Sequence, residues 1–347
     1  MEAKRERTVY IDYLRVFATF AVIMLHVSAT NWYSTDVNEL TWQTFNFYDS
    51  IVRWAVPVFV MISGALFLNR EISIKKIYSK NIFRLLCAFA AWSTVYALIE
   101  GGDERRIIES AIRGHYHMWF ILMMIGLYIC IPVLKSIVEK KEVAQYYLAV
   151  SFVFAFAIPE IVIISEDFGS ELLVKAIGVI NSDVTTMSMS LVLGYSSYFV
   201  LGYCLNQREF HKKERYFVYF LGLVGFMITI AVDAIVAIKT QNACDRYYGD
   251  FTVNVLFESI AVFVAFKCSL FTNKRLNNIA QTLAKYSFGA YLAHPAVIEV
   301  LNKRLGLHTL SFNPILSVLV ISVVVFIISF IISAVMNHFP IVQKYFV

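Results

Sequence analysis

Long apolar stretches follow one another along almost the whole chain, and short polar segments separate them. A stretch of about twenty residues is long enough to cross a hydrocarbon core of roughly 30 Å as a helix. We predict spans at residues 9–29, 48–68, 81–99, 117–135, 144–165, 187–206, 216–238, 251–271, 286–302 and 313–337. The pattern therefore predicts ten transmembrane helices.

These stretches are continuous and rich in leucine, isoleucine and phenylalanine, without the alternation of a lipid-facing barrel strand. The composition agrees, because 59% of the 347 residues are hydrophobic, 16% are charged and the mean hydropathy is +0.65. We expect an all-α integral membrane protein, a bundle in which residues 1–347 form a single domain.

Lysine and arginine are concentrated in alternate connections, and the long outer loop 29–50 has neither. By the positive-inside rule, this bias predicts that both termini face the cytoplasm. We expect the first helix to be retained, since it is too long for a signal peptide and lacks a small-residue cleavage site. The net charge of +5 fits loops that face anionic lipid headgroups, so nucleic-acid binding has little support.

The first span includes Arg15 and His26 among its ionisable residues. A charge near the bilayer centre costs roughly 2.5 to 3.5 kcal/mol on insertion scales, so such residues are candidates for function. Eleven residues make three helical turns, which puts both side chains on one face, roughly 16 Å apart. Arginine suits phosphate or carboxylate, and histidine accepts a proton at neutral pH. The structural alternative is that Arg15 reaches the headgroups and His26 makes an interhelical hydrogen bond.

The second span contains "VRWAVPVFVMISGALFL", in which Arg53 opens the helix and Pro57 interrupts its hydrogen-bond ladder. Ser63 and Gly64 permit close helix approach. We do not favour Ser63 as a nucleophile, because no base is paired with it in the sequence. Arg53 is expected at the outer end of its helix, where it can meet His26.

The stretch "RGHYHMWFILMMIGLYICIPVL" begins at the outer boundary with His115, His117 and Trp119. An aromatic residue there is typical of the interfacial belt. The two histidines do not share a helix face, and no third ligand stands at zinc-site spacing, so we predict no metal site.

The last polar group lies in "LAKYSFGAYLAHPAVIEVL", where Tyr291 and His294 share a helix face. Structural and catalytic roles are almost equally supported for His294. Asp233 and Glu258 are two further ionisable residues within spans, and buried carboxylates often relay protons. The five cysteines show no disulfide or metal spacing.

Taken together, these stretches resemble acyltransferase family 3, the multi-span bacterial O-acyltransferases that modify surface polysaccharides. The similar motifs are the arginine and histidine with ten residues between them, the "R-x-x-V-P-x-F-x-x-x-S-G" helix, "H-x-W-F" followed by "G-L-Y" and a proline, and "S-F-G-x-Y-L-x-H-P"; the matching residues are Arg15, His26, Arg53, Pro57, Phe59, Ser63, Gly64, His117, Trp119, Phe120, Gly126, Leu127, Tyr128, Pro132 and Ser287 to Pro295. The resemblance covers most of the chain.

The resemblance implies a cytoplasmic acyl-coenzyme A donor, most often acetyl, with no permanently bound cofactor, and a hydroxyl acceptor on a lipid-linked or surface glycan. It implies a multi-pass protein of the cell membrane with three groups of site residues. They are a catalytic group of His26, Arg15 and Arg53; a donor-binding group of Lys80, Arg84 and Arg15; and a substrate-binding group of His117, Trp119, Tyr291 and His294. One position departs from the family, since the "R-x-x-R" pair has Asn81 in place of its first arginine.

Two other functions fit parts of the sequence. A proton-coupled secondary transporter of a small polar solute or glycan precursor would use Asp233, Glu258 and the histidines, but no inverted repeat supports it. A sensory module is the third possibility, although we identify no appended domain to receive its signal.

Overall fold

A computed structural model describes residues 8–187 and 194–347 of the chain, and within these ranges every regular element is helical. The α-helices are α1 (Val9–Ser28), α2 (Leu40–Ser50), α3 (Ala55–Phe67), α4 (Ile74–Lys76), α5 (Phe83–Glu100), α6 (Glu104–Arg113), α7 (Trp119–Ile129), α8 (Ile131–Val138), α9 (Lys141–Ser151), α10 (Ile158–Phe168), α11 (Glu171–Thr186), α12 (Tyr195–Gln207), α13 (Lys212–Thr240), α14 (Val253–Lys267), α15 (Lys274–Leu305), α16 (Pro314–Met336) and α17 (Pro340–Tyr345). Two π-helical segments, Ile77–Ile82 and Phe152–Ala157, join α4 to α5 and α9 to α10.

Seven helical stretches of the described residues are long and apolar enough to cross a membrane. They are Val9–Asn31, Leu40–Phe67, Ile74–Glu100, Lys141–Phe168, Lys212–Thr240, Arg246–Lys267 and Pro314–Met336. The pair α7 and α8 makes an eighth if it is one span bent by 60°. The predicted multi-pass helical membrane protein is therefore confirmed, whereas the predicted number of ten spans is not.

The differences fall on three of the predicted spans. In the sixth, residues 188–193 lie outside the described residues, and α12 has 13 residues, which at 1.5 Å each reach only about 20 Å. The ninth lies inside α15, which is not among the candidate spans. The fourth is the bent pair, in which α7 ends at Ile129 and Pro132 stands in the first turn of α8.

The second predicted span also begins differently. Helix α2 occupies much of the segment expected to be an outer loop, and Arg53 lies in the turn between α2 and α3 rather than at the start of the helix. The Trp54 indole donates a hydrogen bond to the Ile51 carbonyl oxygen at 2.8 Å within that turn. Pro57 stands in the first turn of α3, where a missing N–H leaves no hydrogen bond broken.

Helix α1 is central to the bundle and packs against α3, α15 and α16. Helix α3 also packs closely on α12, because glycines stand at the contact. A Cβ atom added at Gly64 would lie 1.8 Å from the Phe199 carbonyl oxygen, and one at Gly202 would lie 2.1 Å from that of Met61. The predicted close approach at Gly64 is confirmed, and it fixes the helices that carry the polar residues described next.

Candidate active site

Two polar cavities lie along helix α1. We call the first the histidine cavity, and its volume is about 310 Å³. It is lined by Val22, Leu25, His26, Arg53, Val56, Phe59, His117, Trp119, Phe120, Tyr248, Gly249, Asp250 and Tyr291.

We call the second the cationic cavity, with a volume of about 540 Å³. It is lined by Arg15, Phe59, Ser63, Phe67, Lys80, Asn81, Arg84, Leu85, Phe120, Met124, Tyr128, Ala284, Lys285, Ser287, Phe288, Tyr291, Asn337 and Gln343. The sequence-predicted site residues thus divide between two places, with the donor-binding group in this cavity and most of the others around His26.

Arg15 and His26 of α1 face different cavities. His26 lines the histidine cavity and Arg15 lines the cationic cavity. Their separation of three turns on one helix face is what allows a single helix to serve both. Arg15 therefore stands away from the imidazole with which it was grouped.

His26 is surrounded by aromatic rings from other parts of the chain. Its ring lies 5.1 Å from that of His294, nearly parallel, and 5.2 Å from the Tyr116 ring, edge to face. The His117 ring lies 5.5 Å from that of His294. Helix α1, the turn before α7 and helix α15 thus bring three histidines into one cluster, and His294 belongs to it although it does not line the cavity.

Hydrogen bonds fix the protonation of part of this cluster. His294 Nδ1 lies 2.5 Å from the Tyr291 carbonyl oxygen, which can only accept, so Nδ1 carries a hydrogen and, in the neutral ring, Nε2 keeps its lone pair. His294 is fully buried, and its Nε2 atom has no hydrogen-bond partner among the described residues. This nitrogen is available as an acceptor next to His26.

His115 extends the cluster towards the end of α5. Its Nδ1 atom lies 3.0 Å from that of His117, and its Nε2 atom lies 3.8 Å from the Glu100 carboxylate. Burial lowers the pKa of His115, and the nearby Glu100 charge opposes that shift.

Despite the cluster, the described residues contain no group of three or more histidine, cysteine or acidic side chains placed to hold a metal ion.

Arg53 is held at the edge of the histidine cavity by an ion pair and an aromatic contact. Its Nη2 atom lies 2.6 Å from the carboxylate of Asp49, which is 1% exposed. Its guanidinium also lies 3.9 Å from the centre of the Tyr248 ring, and that hydroxyl donates to Asn46. Sequence analysis did not identify Asp49 or Tyr248, and the only signal for either residue is that Asp49 precedes Arg53 by four residues.

Asp250 adds a carboxylate to the same cavity. The Tyr195 hydroxyl donates to this carboxylate, and Tyr198 donates to the main-chain oxygen of the same residue. The Trp119 ring, 45% exposed, lies at the cavity 5.8 Å from the Tyr195 ring. Sequence analysis missed Asp250 because it lies in the connection before α14 rather than in an apolar stretch.

The cationic cavity takes its charges from several helices. The π-helical segment before α5 brings both Lys80 and Asn81 to the cavity wall, together with Arg84 one turn later. Arg84 donates from Nη2 to the main-chain oxygen of Val347. Lys285 supplies a further exposed cation from α15. The position that departs from the family motif, Asn81, therefore faces this cavity.

Asp233 and Glu258 lie outside both cavities. Both are fully buried between α13 and α14. Asp233 accepts a hydrogen bond from the Tyr247 main-chain N–H at 3.3 Å, and Glu258 accepts one from Thr229 at 2.5 Å. Glu258 thus joins α14 to α13, and Asp233 joins α13 to the connection before α14.

The fold and the two cavities define an integral membrane protein, a helical bundle whose ionisable side chains are gathered at two adjoining polar sites. The family model described as "Acyltransferase domain", Acyl_transf_3, matches residues 8–334 of this chain. The chain therefore belongs to acyltransferase family 3, and the resemblance seen in its motifs is confirmed. No curated protein and no solved structure matches it.

Proposed function

We propose that this protein is an O-acyltransferase that moves an acyl group from cytoplasmic acyl-coenzyme A to a hydroxyl of a cell-surface or lipid-linked glycan. The acyl group that we propose is acetyl. The observation that carries the proposal is that one helix, α1, presents a cation to one cavity and an imidazole to the adjoining one. That arrangement suits a donor held on one side of a membrane and an acceptor approaching from the other.

The cationic cavity is the proposed donor site. Arg15, Lys80, Arg84 and Lys285 all line it, and arginine and lysine are the side chains that bind phosphate groups. Coenzyme A carries its phosphates at one end of a long uncharged arm, so this cavity would hold that end. With this cavity towards the cytoplasm, as the loop charges predict, both termini would lie in the cytoplasm and the protein would span the cell membrane.

His26 is the proposed general base. It would take the proton from the acceptor hydroxyl as the oxygen forms its bond to the thioester carbon, and such a base typically contributes 10²- to 10⁴-fold, on the order of a few kcal/mol. The carbon–sulfur bond would then break, and the coenzyme A thiolate would leave and take up a proton. Arg53, fixed by Asp49, would stabilise the oxyanion of the tetrahedral intermediate.

The remaining residues of the histidine cavity are proposed to hold the acceptor. His294 does not line the cavity, so its unpartnered Nε2 atom would act on the acceptor through the neighbouring His26 ring, and the His117 ring lies next to it. Trp119 and Tyr291 offer ring faces and edges, and an exposed ring such as Trp119 suits the apolar face of a sugar.

Binding of acetyl-coenzyme A to the purified protein in lipid nanodiscs tests the donor half. We expect acetyl-coenzyme A to raise the thermal midpoint, and we expect Arg15→Ala to weaken that effect. Arg208→Ala is a matched control, because Arg208 is paired with Glu214 away from both cavities. Absence of any effect of acyl-coenzyme A on the folded wild-type protein would contradict the proposal.

If acyl-coenzyme A has no effect on the folded protein, proton-coupled transport is the function to test next. Its main support is Asp233 and Glu258, which accept hydrogen bonds from the Tyr247 main-chain N–H and from Thr229, respectively. Proton-driven uptake that Asp233→Asn and Glu258→Gln abolish would favour it.

A further inference from the structure

The histidine cavity and the cationic cavity share three lining residues, Phe59, Phe120 and Tyr291. They come from three different helices, α3, α7 and α15. A residue that lines both cavities lies between them. The boundary between the two polar sites is therefore made of three aromatic rings.

The Phe120 ring contacts the other two rings edge to face. The Phe59 and Phe120 centroids lie 6.1 Å apart, and those of Phe120 and Tyr291 lie 5.6 Å apart. These distances are within the range of aromatic pairs in direct contact. The Tyr291 hydroxyl donates to the His117 main-chain oxygen, which ties one ring to the turn before α7.

Each side of this boundary carries polar groups. His26 and Arg53 stand on one side, and Arg15 and Lys80 stand on the other. Two hydrated cavities entering a membrane protein from opposite faces would leak protons or ions if they joined, and apolar constrictions stop such flow by excluding water.

The proposed reaction nevertheless requires a thioester to pass this boundary. The donor phosphates would lie near Arg15, and His26 lies roughly 16 Å further along α1 at 1.5 Å per residue. The part of acyl-coenzyme A that spans this interval is its slender, uncharged arm. An apolar opening between rings accepts such a segment at little desolvation cost, unlike a charged group.

We propose that Phe59, Phe120 and Tyr291 form an aromatic barrier that seals the path between the two cavities and is the subsite for the uncharged arm of acyl-coenzyme A. The sealing part follows from the shared lining and the ring contacts; the subsite part rests on the proposed function. When the donor is bound, its arm takes the place of the ring contacts and keeps the path closed.

Proton flux into proteoliposomes tests the barrier without any acceptor. Vesicles containing a trapped pH-sensitive dye receive an acid pulse, with potassium and valinomycin present to prevent a membrane potential. We expect Phe120→Ala to raise the flux roughly tenfold above wild type, because removal of the ring lets water join the cavities. Phe326→Ala is the matched control, a partly buried ring of α16 that lines neither cavity, and it should match wild type.

Folding is checked by size exclusion and by thermal unfolding before reconstitution. Should Phe120→Ala fail to fold, Phe59→Ala removes a second ring of the same barrier and should leak in the same way. A folded barrier variant that is as tight as wild type overturns the proposal.

Addition of acetyl-coenzyme A to both sides of the leaking vesicles tests the subsite. We expect the flux to fall towards the wild-type value, whereas inorganic phosphate at the same concentration should leave it unchanged. If a variant still binds acetyl-coenzyme A but its leak is not reduced, the proposed subsite is wrong. The proposed seal between the two cavities then still stands. Wild-type protein that does not bind acetyl-coenzyme A contradicts the proposed function instead, so the two failures are distinguishable.

Discussion

The histidine cavity and the cationic cavity lie along the same helix but are built in different ways. In the first, the charged groups are paired within the protein, as in the contact between Arg53 and Asp49 at 2.6 Å. In the second, Lys80 and Lys285 are exposed cations. Paired charges hold a fixed geometry, whereas exposed cations provide attraction for an anionic ligand.

This difference matches the two tasks of the proposed reaction. Chemistry at a carbonyl group needs donors and a base that are already in position, because reorganisation would cost part of the catalytic effect. Capture of a phosphate-bearing donor needs positive charge more than exact placement. Changes in the histidine cavity should therefore affect turnover or folding, and changes in the cationic cavity should affect donor affinity.

The largest effect is expected from His26→Ala. Loss of the general base should lower transfer by about 10²- to 10⁴-fold. Donor binding should persist, because His26 does not line the cationic cavity. The measurement is transfer of radiolabelled acetyl from acetyl-coenzyme A into the glycan fraction of membranes that contain the protein, alongside acetyl-coenzyme A binding by thermal shift. Retained transfer would remove His26 from the mechanism, and loss of both activities would indicate that the two cavities are not separable.

Asp49→Asn should have the next largest effect, on stability. The substitution leaves the Arg53 guanidinium without its buried carboxylate, and removal of one partner of a buried ion pair typically costs about 3 kcal/mol or more. We expect a clear drop in the thermal midpoint in nanodiscs. Glu166→Gln provides the comparison, because its pair with Arg246 is about two-fifths exposed and surface pairs contribute about 1 kcal/mol at most. Equal effects of the two substitutions would show that Arg53 does not depend on Asp49.

The sequence predicts the relative placement of two site residues best when both lie on the same helix. Arg15 and His26 are related by helix periodicity alone, so their common face could be predicted before the structure was known. Their separation into two cavities could not, because it depends on the rings that α3, α7 and α15 bring between them.

Residues placed by tertiary packing were missed. Asp250 reaches the histidine cavity from a short connection, and Tyr248 reaches Arg53 from the same region. The sequence predicts a loop over most of α2, because residues such as Asn46, Asp49 and Ser50 are too polar for a typical membrane helix. These polar side chains are buried against the rest of the bundle instead of lipid, and hydropathy cannot distinguish the two environments.

Asn81→Arg should increase the affinity of the cationic cavity for acetyl-coenzyme A and so distinguish the roles of the two cavities. This substitution restores the family's arginine pair at a position that lines the cationic cavity. A hydrogen bond to a charged group contributes about 1.5 kcal/mol or more, which corresponds to roughly tenfold tighter acetyl-coenzyme A binding. Binding is measured by titration in nanodiscs at two salt concentrations, since the added attraction should weaken as salt rises. Gln207→Arg, which adds the same charge on an exposed residue outside the cavity, is the control. Equal gains from both substitutions would mean that net charge, not the cavity, determines donor affinity.

The smallest expected effect is a pH dependence of stability that arises from His115. Burial lowers the pKa of this histidine in the folded protein. The unfolded chain takes up a proton near the ordinary histidine pKa of about 6.5, so folding should lose stability as the pH falls below that value. One such group contributes at most about 1.4 kcal/mol for each pH unit. The thermal midpoint measured from pH 7.5 to pH 5 should therefore fall less steeply in His115→Gln than in wild type, whereas the exposed control His338→Gln should follow wild type. A His115→Gln curve parallel to that of wild type would show that His115 is not a source of the acid sensitivity. The contrast between paired charges in the histidine cavity and exposed cations in the cationic cavity would then rest on the Arg53 and Asp49 pair alone.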